Sequence, residues 1–412
     1  MSHLKGIVGS VSRRLEGRRI VLCITGSVAA MEAPRLAREL MRHGADVHVV
    51  MSRAACRLIG PDLMEWATGN PVVTELTGRL EHVELAGEWE GTADLVLVYP
   101  ATANTISKVA CGIDDTPVTT VVSTALGSRI PVLVAPAMHY SMYRNPFVVE
   151  SLRRLSEGGV KVIQPRIEEG KAKVASVEEA VEEVLRELSP KDYSGVRALV
   201  TAGPTVEYID PVRVVTNMSS GKMGIELAKE LYRRGAEVKL VYGPGTVQPP
   251  SWIETIRVVS AQDMLHVVES ELSSREYSLF IGAAAVSDYT PEEPLPGKLS
   301  TKEVKELTVK LVQTPKVLEA VRRASRSIRI VAFKAEFGVS REELVEKARE
   351  KLREIEAEMV IANDLAKPGA GFRSNTNQAI MVDKTGAVLE LPLMPKSELA
   401  KVILDHLAKL RG

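Results

Sequence analysis

The chain has 412 residues, of which 45% are hydrophobic and 26% charged, and its 53 basic and 53 acidic residues give a formal net charge of zero. This length predicts two or three domains, each large enough for its own core. The neutral charge argues against nucleic acid as a partner, and no apolar run is long enough to predict a membrane span. Three scattered cysteines predict neither a disulfide framework nor a zinc site, so we expect a cytoplasmic protein.

Strand-like and helix-like segments alternate through the first half of the chain. Apolar, β-branched runs predict strands at residues 19–25, 46–51, 94–99, 130–135 and 160–163, and amphipathic patterns predict helices at residues 29–42, 105–111, 117–126 and 178–187. This alternation predicts an α/β domain with a doubly wound parallel sheet, in the Rossmann-like or flavodoxin-like manner, and with ligands at the carboxyl ends of the strands. We expect this domain to cover residues 1–190, with a linker at 189–195.

Four loops that follow the predicted strands of this domain are built mainly from small and hydroxyl-bearing residues. They are residues 26–29, 52–55, 100–105 and 135–139. Such loops suit a phosphate and a flat ring better than a metal ion, and the absence of a G-x-G-x-x-G sequence favours FMN over NAD. Each loop alone is typical of an ordinary turn, whereas four of them on one sheet favour a binding site.

The same loops resemble the flavin-containing cysteine decarboxylases, in particular phosphopantothenoylcysteine decarboxylase. The matching sequences are G-S-V-A-A from residue 26, P-A-T-A-N-T-I-S-K-V-A-C-G-I-D-D from residue 100 and A-P-A-M-x-x-x-M-Y-x-N-P from residue 135. The resemblance implies that His82 is the catalytic histidine, although by residue type alone it would not be preferred over His48 or His139. The FMN site that it implies is formed by Gly26, Ser27, Ser52, Ala103, Asn104 and Ser123.

The reaction implied by this resemblance is redox-neutral overall. Oxidation of the cysteinyl thiol towards a thioaldehyde lets carbon dioxide leave, and the final reduction gives 4'-phosphopantetheine, with His82 near the carboxylate and the thiol. Substrate contacts are implied for Met138, His139, Lys171 and Lys173. However, His139 replaces the asparagine of the family, and the flap at residues 168–175 lacks the cysteine that donates a proton in many members. A degenerate FMN domain that serves assembly only therefore stays open as an alternative.

The second half of the chain repeats the alternation of strands and helices. It predicts strands near residues 196–202, 236–242, 278–285, 328–335 and 358–362, a hairpin through residues 378–391 and a last helix at residues 397–410. We therefore expect a second Rossmann-like α/β domain at residues 191–412.

A phosphate site is predicted where Ser219-Ser220-Gly221-Lys222 opens the first helix of this second domain. Free main-chain N–H groups and a lysine at the start of a helix suit an anion. The sequence is not that of a Walker P-loop, because Thr216 stands in the place of its first glycine and Met223 follows the lysine. An ordinary strand-to-helix turn is the alternative.

The stretch T-A-G-P-T-V-E…I-D-P-V-R…T-N-M-S-S-G-K-M-G, which starts at Thr201, closely resembles phosphopantothenate–cysteine ligase. The resemblance implies catalytic roles for Asn217 and Lys298, although Ser300 replaces the second lysine of the family's K-I-K-K motif. The CTP site that it implies is formed by Gly203, Ser219, Ser220, Gly221, Lys222, Ala283, Ala284, Asp288, Lys298, Pro315, Lys316, Val317, Leu318, Phe333, Lys347 and Lys351.

The implied ligase reaction has two steps. The carboxylate of 4'-phosphopantothenate attacks the α-phosphate of CTP to form an acyl-cytidylate and pyrophosphate, and the amine of cysteine then displaces CMP. Asn217 would bind the reacting carboxyl group, and Lys298 would neutralise phosphate charge. A magnesium ion would be shared by the phosphates, with Asp288 as its one candidate protein contact.

Together the two resemblances indicate the fused, bifunctional decarboxylase and ligase family of coenzyme A biosynthesis. The implied partners are its small-molecule substrates, phosphopantothenate, cysteine and CTP, with no nucleic acid and no membrane. The resemblance also implies a homo-oligomer, in which flavin-domain trimers and ligase-domain dimers combine into a dodecamer. A two-domain nicotinamide oxidoreductase is the alternative from another class, and the missing G-x-G-x-x-G sequence disfavours it.

Overall fold

In the computed structural model the chain forms two compact units, Met1–Ser189 and Pro190–Gly412. The structure describes residues 4, 6–298, 300, 306–371 and 373–410. Each unit has apolar clusters of its own, and each is built around one large sheet. Within the described residues, no helix has the length and apolar character needed to cross a membrane.

The first unit alternates short helices with mainly parallel strands. Its strands are β1 (Arg19–Ile24), β2 (Asp46–Met51), β3 (Val72–Val73), β4 (Leu95–Ala101), β5 (Val132–Pro136), β6 (Met138–His139), β7 (Lys161–Val162), β8 (Arg166–Glu168) and β9 (Lys171–Lys173). After a short 3-10 helix (Val28–Glu32), its helices are α1 (Ala33–Arg42), α2 (Arg53–Cys56), α3 (Pro61–Thr68), α4 (Glu81–Ala86), α5 (Ala103–Ala110), α6 (Pro117–Gly127), α7 (Tyr140–Tyr143), α8 (Pro146–Glu157) and α9 (Val177–Leu188).

The main sheet of the first unit has the strand order β3-β2-β1-β4-β5-β7, with every pair parallel. The residues of β1 from Ile20 to Ile24 are fully buried, because helices cover both faces of a parallel sheet. The strand order reverses between β1 and β4, and in open α/β sheets such a switch point opens a crevice at the carboxyl ends of the strands. The doubly wound flavodoxin-like or Rossmann-like fold predicted for this part of the chain is confirmed.

A second, three-stranded sheet of the first unit has the order β6-β9-β8. Both of its strand pairs are antiparallel, and His139 on β6 lies opposite Lys171 on β9. The hairpin from β8 to β9 turns through Glu169 and Gly170, which both adopt positive φ angles of 51° and 67°. Two consecutive residues of this kind are typical of a type I′ turn.

The second unit holds the larger sheet. Its strands are β10 (Arg197–Ala202), β11 (Val206–Tyr208), β12 (Val214–Thr216), β13 (Glu237–Tyr242), β14 (Glu254–Arg257), β15 (Leu279–Gly282), β16 (Tyr289–Pro291), β17 (Leu311–Gln313), β18 (Arg329–Glu336), β19 (Met359–Asp364), β20 (Thr376–Asp383) and β21 (Val388–Pro395). Its helices are α10 (Lys222–Arg233), α11 (Ala261–Ser274), α12 (Val317–Ala324), α13 (Arg341–Glu354) and α14 (Lys396–Lys409).

The sheet of the second unit has the order β14-β13-β10-β15-β18-β19-β20-β21. Its first six strands are parallel, and β20 and β21 extend it as an antiparallel hairpin. Helices α10 and α14 pack on one face, whereas α11, α12 and α13 pack on the other. The switch point lies between β10 and β15, which confirms the second Rossmann-like domain.

The start of this second unit is fixed to its last helix. The hydroxyl of Tyr193, which is fully buried, donates a hydrogen bond to the carbonyl oxygen of Leu404 at 2.7 Å. The guanidinium of Arg234, at the end of α10, forms ion pairs with Asp192 and Asp405 and stacks on the ring of Tyr193. These contacts tie the first residues of the unit to helices α10 and α14.

Candidate active sites

The second unit contains a cavity of about 430 Å³ at the carboxyl ends of its parallel strands. It lies at the switch point, because its wall includes Thr201 from β10, Gly282 at the end of β15 and Phe333 from β18. The loop between β12 and α10 and the loop that follows β15 form two further sides. This location is the expected one for a ligand of a doubly wound sheet.

The start of α10 depends on Gly221. This residue has a φ of 79°, and a Cβ placed on it would lie 2.6 Å from the hydroxyl oxygen of Tyr242, so only glycine fits without movement. The Tyr242 hydroxyl also donates a hydrogen bond to the carbonyl oxygen of Ser220 at 3.2 Å. These contacts hold the first turn of α10, with Lys222 as its first residue, against the cavity.

The charged residues of the cavity wall are mostly cationic. Among the described residues that line it, one acid, Asp288, stands against five lysines, which are Lys222, Lys316, Lys334, Lys351 and Lys396. Asp288 pairs with Lys316, and Glu336 pairs with Lys334 at 3.1 Å and with Lys347 at 2.7 Å. Burial would raise the pKa of Glu336, but the hydrogen bonds from these two lysines outweigh it and lower the pKa. The excess of ammonium groups suits a polyanionic ligand.

The cavity brings together most of the residues predicted to bind CTP. Besides Asn217, it is lined by Ser219, Ser220, Gly221, Lys222, Ala283, Ala284, Asp288, Pro315, Lys316, Val317, Leu318, Phe333 and Lys351. Three predicted residues are not part of its wall. Lys298 is exposed beside residues that the structure does not describe, Lys347 is held by Glu336, and Gly203 packs closely on Gly243.

Asn217 lies at the cavity with its side-chain amide directed at the main chain. Its Nδ2 donates hydrogen bonds to the carbonyl oxygens of Ala285 at 3.1 Å and Val286 at 3.2 Å. The amide therefore fixes the loop that follows β15, and Oδ1 is its remaining acceptor. Asn217 therefore lines the cavity, and its contact with the reacting carboxyl group stays a prediction.

The side chains of the described residues do not form a cluster of three or more histidine, cysteine, aspartate or glutamate groups that would suit a metal ion. Asp288 is exposed and paired with Lys316. A divalent cation at this cavity would therefore need most of its ligands from phosphate oxygens and water, as is common for magnesium.

In the first unit, five predicted FMN residues, among them Gly26, follow β1, β2 and β4 at one edge of the main sheet. Ser27 caps the 3-10 helix, Ser52 caps α2, and Ala103 and Asn104 open α5. The oxygen of Ser52 accepts a hydrogen bond from the N–H of Ala55 at 3.2 Å, which leaves its own hydrogen to be donated to an anionic oxygen. A Cβ at Gly26 would lie 2.5 Å from the Cβ of Ala54, so the first two loops approach closely. This cradle of small and hydroxyl-bearing residues fits a flavin phosphate.

His82 lies on α4, which packs on α6, the helix that carries the predicted FMN residue Ser123. The Nδ1 atom of His82 is buried and has no hydrogen-bonding partner among the described residues. A buried ring nitrogen of this kind costs free energy unless a ligand or water pairs with it. The position of His82 is therefore compatible with its predicted role at a bound substrate.

All four residues predicted to contact the decarboxylase substrate lie on the three-stranded sheet. Met138 pairs with Ala172, and His139 pairs with Lys171. The Nζ atom of Lys173 lies 3.2 Å from Glu168 and 3.0 Å from Glu169, whereas the side chain of Lys171 is exposed. Nδ1 of His139 lies 3.0 Å from the hydroxyl of Ser141. The structure thus places the four side chains on neighbouring strands.

Several polar residues of the cavity in the second unit were not predicted from the sequence. These include Asn377 on β20 and Lys396, the first residue of α14. The sequence does mark Lys396, because this residue precedes Leu399, Ile403 and Leu407 at helical spacing and so falls on the apolar stripe of its helix.

Comparison with known families defines the class of protein. The family described as flavoprotein matches residues 8–189, and the DNA/pantothenate metabolism flavoprotein C-terminal domain family matches residues 193–410. The chain therefore combines a flavoprotein domain with a pantothenate metabolism domain.

Relatives that match the whole chain identify the family itself. The coenzyme A biosynthesis bifunctional protein CoaBC of Thermococcus kodakarensis is 50% identical over 100% of both chains, and that of Methanocaldococcus jannaschii is 39% identical over 89% of this chain and 88% of its own. A crystal structure of the C-terminal domain of such a CoaBC protein is 36% identical, with a TM-score of 0.44, over 53% of this chain and 97% of that chain.

The chain belongs to this family of bifunctional coenzyme A biosynthesis proteins. The family predicted from the two sets of motifs is confirmed, and with it a bifunctional enzyme of coenzyme A biosynthesis with a decarboxylase and a ligase activity.

Proposed function

We propose that the second unit joins cysteine to 4'-phosphopantothenate with CTP, and that the first unit uses FMN to decarboxylate the product to 4'-phosphopantetheine. The observation that carries this proposal is the lysine-rich cavity of the second unit, because it gathers Asn217 and thirteen of the sixteen residues predicted to bind CTP from the ligase motifs. Its excess of positive charge suits a triphosphate, and its apolar wall near Phe333 suits a base.

In the ligase reaction, the first residues of α10 bind the phosphate chain through main-chain N–H groups and Lys222. The pantothenate carboxylate attacks the α-phosphorus, the bond to the leaving pyrophosphate breaks, and an acyl-cytidylate forms. The cysteine amine then attacks the acyl carbon, CMP leaves, and the amine loses a proton. Asn217 holds the reacting carboxyl group, and Lys298 neutralises phosphate charge. A Mg²⁺ ion would be held mainly by the phosphate oxygens, with Asp288 as its one candidate protein contact.

In the decarboxylase reaction, the loops at Gly26, Ser27, Ser52 and Asn104 hold the flavin, together with Ala103 and Ser123. Bound FMN supplies reversible two-electron oxidation of the substrate thiol, which makes loss of the carboxylate possible. His82 contacts the carboxylate or the thiol and holds a proton there. Met138, His139, Lys171 and Lys173 bind the substrate from the three-stranded sheet, with a lysine on its phosphate.

The family relationship also supports a cytoplasmic homo-oligomer, and a dodecamer of flavin-domain trimers and ligase-domain dimers is the assembly that we propose. The hairpin from β8 to β9 contains no cysteine, so a donor other than a flap thiol supplies the last proton of the decarboxylation.

The decisive experiment incubates the purified full chain with phosphopantothenate, cysteine, CTP and Mg²⁺ and follows the products by mass spectrometry. We expect 4'-phosphopantetheine, CMP, pyrophosphate and carbon dioxide. Accumulation of phosphopantothenoylcysteine in flavin-loaded protein would leave the ligase and make the first unit an assembly module. Absence of both products would contradict the proposed function.

A further inference from the structure

Lys396 lies on the apolar face of helix α14, where the spacing of the buried residues predicts an apolar side chain. Leu399, Ile403 and Leu407 are fully buried on one face of this helix, and Lys396 lies one turn before them on the same face. Only 4% of Lys396 is exposed. Lysine is rarely buried to this extent, because its ammonium group loses hydration.

Lys396 lies in a part of the ligase cavity that contains a second lysine. It lines the cavity together with Lys222, and the two lysines are the first residues of α14 and α10, which pack against each other. The Nζ atom of Lys222 donates a hydrogen bond to Oδ1 of Asn375 at 2.6 Å, and Nζ of Lys396 lies 3.5 Å from the carbonyl oxygen of Gly371. The one acidic residue among the described residues of the wall, Asp288, pairs with Lys316.

The energetic consequence is that the fold disfavours a positive charge on Lys396. Burial lowers the pKa of its ammonium group to about 8, and the charge of Lys222 lowers it further in the same direction. By contrast, Lys401 on the same helix is exposed to solvent, as is usual for lysine. An anion bound between Lys222 and Lys396 would remove both the repulsion and part of the burial penalty.

We propose that Lys396 is a binding residue of the ligase site, which contacts the terminal phosphates of the nucleoside triphosphate together with Lys222. This inference rests on the proposed function, because it requires the nucleotide to occupy the same cavity. None of the motifs that identify the ligase domain includes this residue. Its role is to pair with phosphate charge in the bound state and with the leaving pyrophosphate after the first step.

A contact between Lys396 and phosphate would be measurable as proton uptake when the nucleotide binds. Above about pH 8 a growing share of Lys396 is neutral in the free protein, and a polyanion beside it favours the charged form. Nucleotide binding at about pH 8.5 therefore takes up protons from the buffer, and the observed heat depends on the ionisation enthalpy of that buffer.

The test measures binding of CTP to the full chain by titration calorimetry at about pH 8.5 in two buffers of different ionisation enthalpy. We expect Lys396→Met to weaken CTP binding by roughly tenfold to a hundredfold, since a charge-assisted hydrogen bond is lost, and to abolish its proton uptake. Lys396→Arg keeps the charge and should bind without this uptake, because guanidinium stays protonated. Lys401→Met is the matched control and should behave as the wild-type chain does.

Two further measurements separate binding from support of the fold. Lys396→Met should melt at the same temperature as the nucleotide-free wild-type chain or higher, because a buried ammonium is replaced by an apolar stem of similar length. The loss of affinity should be smaller for CMP than for CTP, because CMP lacks the terminal phosphates.

Each contrary outcome has a distinct meaning. Equal CTP affinity and equal proton uptake in wild type and Lys396→Met would overturn the inference and leave the proposed function intact. A lowered melting temperature of Lys396→Met with unchanged CTP affinity would have the same meaning, because Lys396 would then support only the fold. Weakened binding of phosphopantothenate with unchanged binding of CTP would overturn the assignment to the nucleotide. Failure of the wild-type chain itself to bind CTP would overturn both the inference and the proposed function.

Discussion

The side-chain amide of Asn217 donates a hydrogen bond to the main-chain carbonyl oxygen of Ala285, 3.1 Å away. This bond joins the loop before α10 to the loop after β15, the two loops that meet at the switch point of the sheet. A second bond, to the carbonyl oxygen of Val286, uses the other amide hydrogen. To stabilise an oxyanion on the substrate, the amide must therefore exchange one of these bonds for a bond to the substrate.

We expect Asn217→Ala to lower the rate of the ligase reaction by roughly a hundredfold to a thousandfold, which is the usual effect of removing one oxyanion donor. The measurement is pyrophosphate release in the presence of phosphopantothenate and CTP, followed by formation of the cysteine adduct. Decarboxylation of supplied phosphopantothenoylcysteine serves as the control and should not change. A ligase rate within about twofold of wild type would exclude Asn217 from the reaction.

We expect His82→Ala to reduce decarboxylation by roughly a hundredfold to ten-thousandfold, the range for loss of a general acid or base. The ring of His82 is the candidate because its Nδ1 is buried and has no partner among the described residues. His48→Ala is a matched control, because His48 pairs with Asp46, whose pKa its hydrogen bond lowers to about 2. Flavin absorbance should be equal in both variants, and equal rates in both would contradict the assignment.

The two lysines of the flap strand β9 should differ in their effects. Lys173 is held by Glu168 and Glu169, so its ammonium is already partly neutralised, whereas Lys171 is exposed opposite His139. We expect Lys171→Met to raise the KM for phosphopantothenoylcysteine by roughly fivefold to tenfold, with a smaller rise for Lys173→Met. The difference should vanish with a substrate that lacks the phosphate. A larger effect at Lys173 would reverse our assignment of the phosphate contact.

The stability of the second unit should depend on a buried carboxylate at the hairpin of β20 and β21. Asp383 is 2% exposed and accepts hydrogen bonds from the N–H and the hydroxyl of Thr385, the N–H of Ala387 and the ring of His406 at 2.6 Å. Burial raises its pKa, but the hydrogen bonds from Thr385 and His406 outweigh burial, so the pKa of Asp383 lies below its usual value.

A group whose pKa is lowered by folding stabilises the native state above its unfolded pKa, near pH 4 for aspartate, and this contribution is lost as the pH falls through the folded value. We therefore expect Asp383→Asn to destabilise the fold by about 1–3 kcal/mol at neutral pH and to flatten the loss of stability in acid. Thermal melts at several pH values below about 5 test this, with Asp114→Asn, at an exposed site, as the control. Parallel melting curves for both variants would contradict it.

The strands of the two large sheets were predictable because they are apolar, β-branched runs bounded by turn residues. For example, the prediction of a strand at residues 46–51 matches β2 and that of a last helix at residues 397–410 nearly matches α14. The helix Pro146–Glu157 was not predicted, because Asn145 and Pro146, which form its cap and first turn, were considered only as the end of a family motif. The strands β8 and β9 were missed because they are short and charged, and only their pairing makes them strands.

The candidate sites were predictable to the extent that their residues stand in continuous motifs. Ser219 to Lys222 and the residues after β15 were found in this way, and the structure gathers them at one cavity. Lys396 was not found, because it lies more than 170 residues from that motif and enters the cavity only when α14 packs on α10. Lys347 was predicted to bind the nucleotide because it lies four residues before Lys351 on the same helix. In the structure it pairs with Glu336 and is not part of the cavity wall.

The hydrogen bond from Tyr193 to Leu404 joins the beginning of the second unit to its last helix. A unit whose first residues contact its own last helix can be joined to another polypeptide, or separated from one, without displacement of a strand of its sheet. The gene segment that encodes this unit can therefore be fused to a neighbouring gene or separated from it, and the core of the unit stays the same.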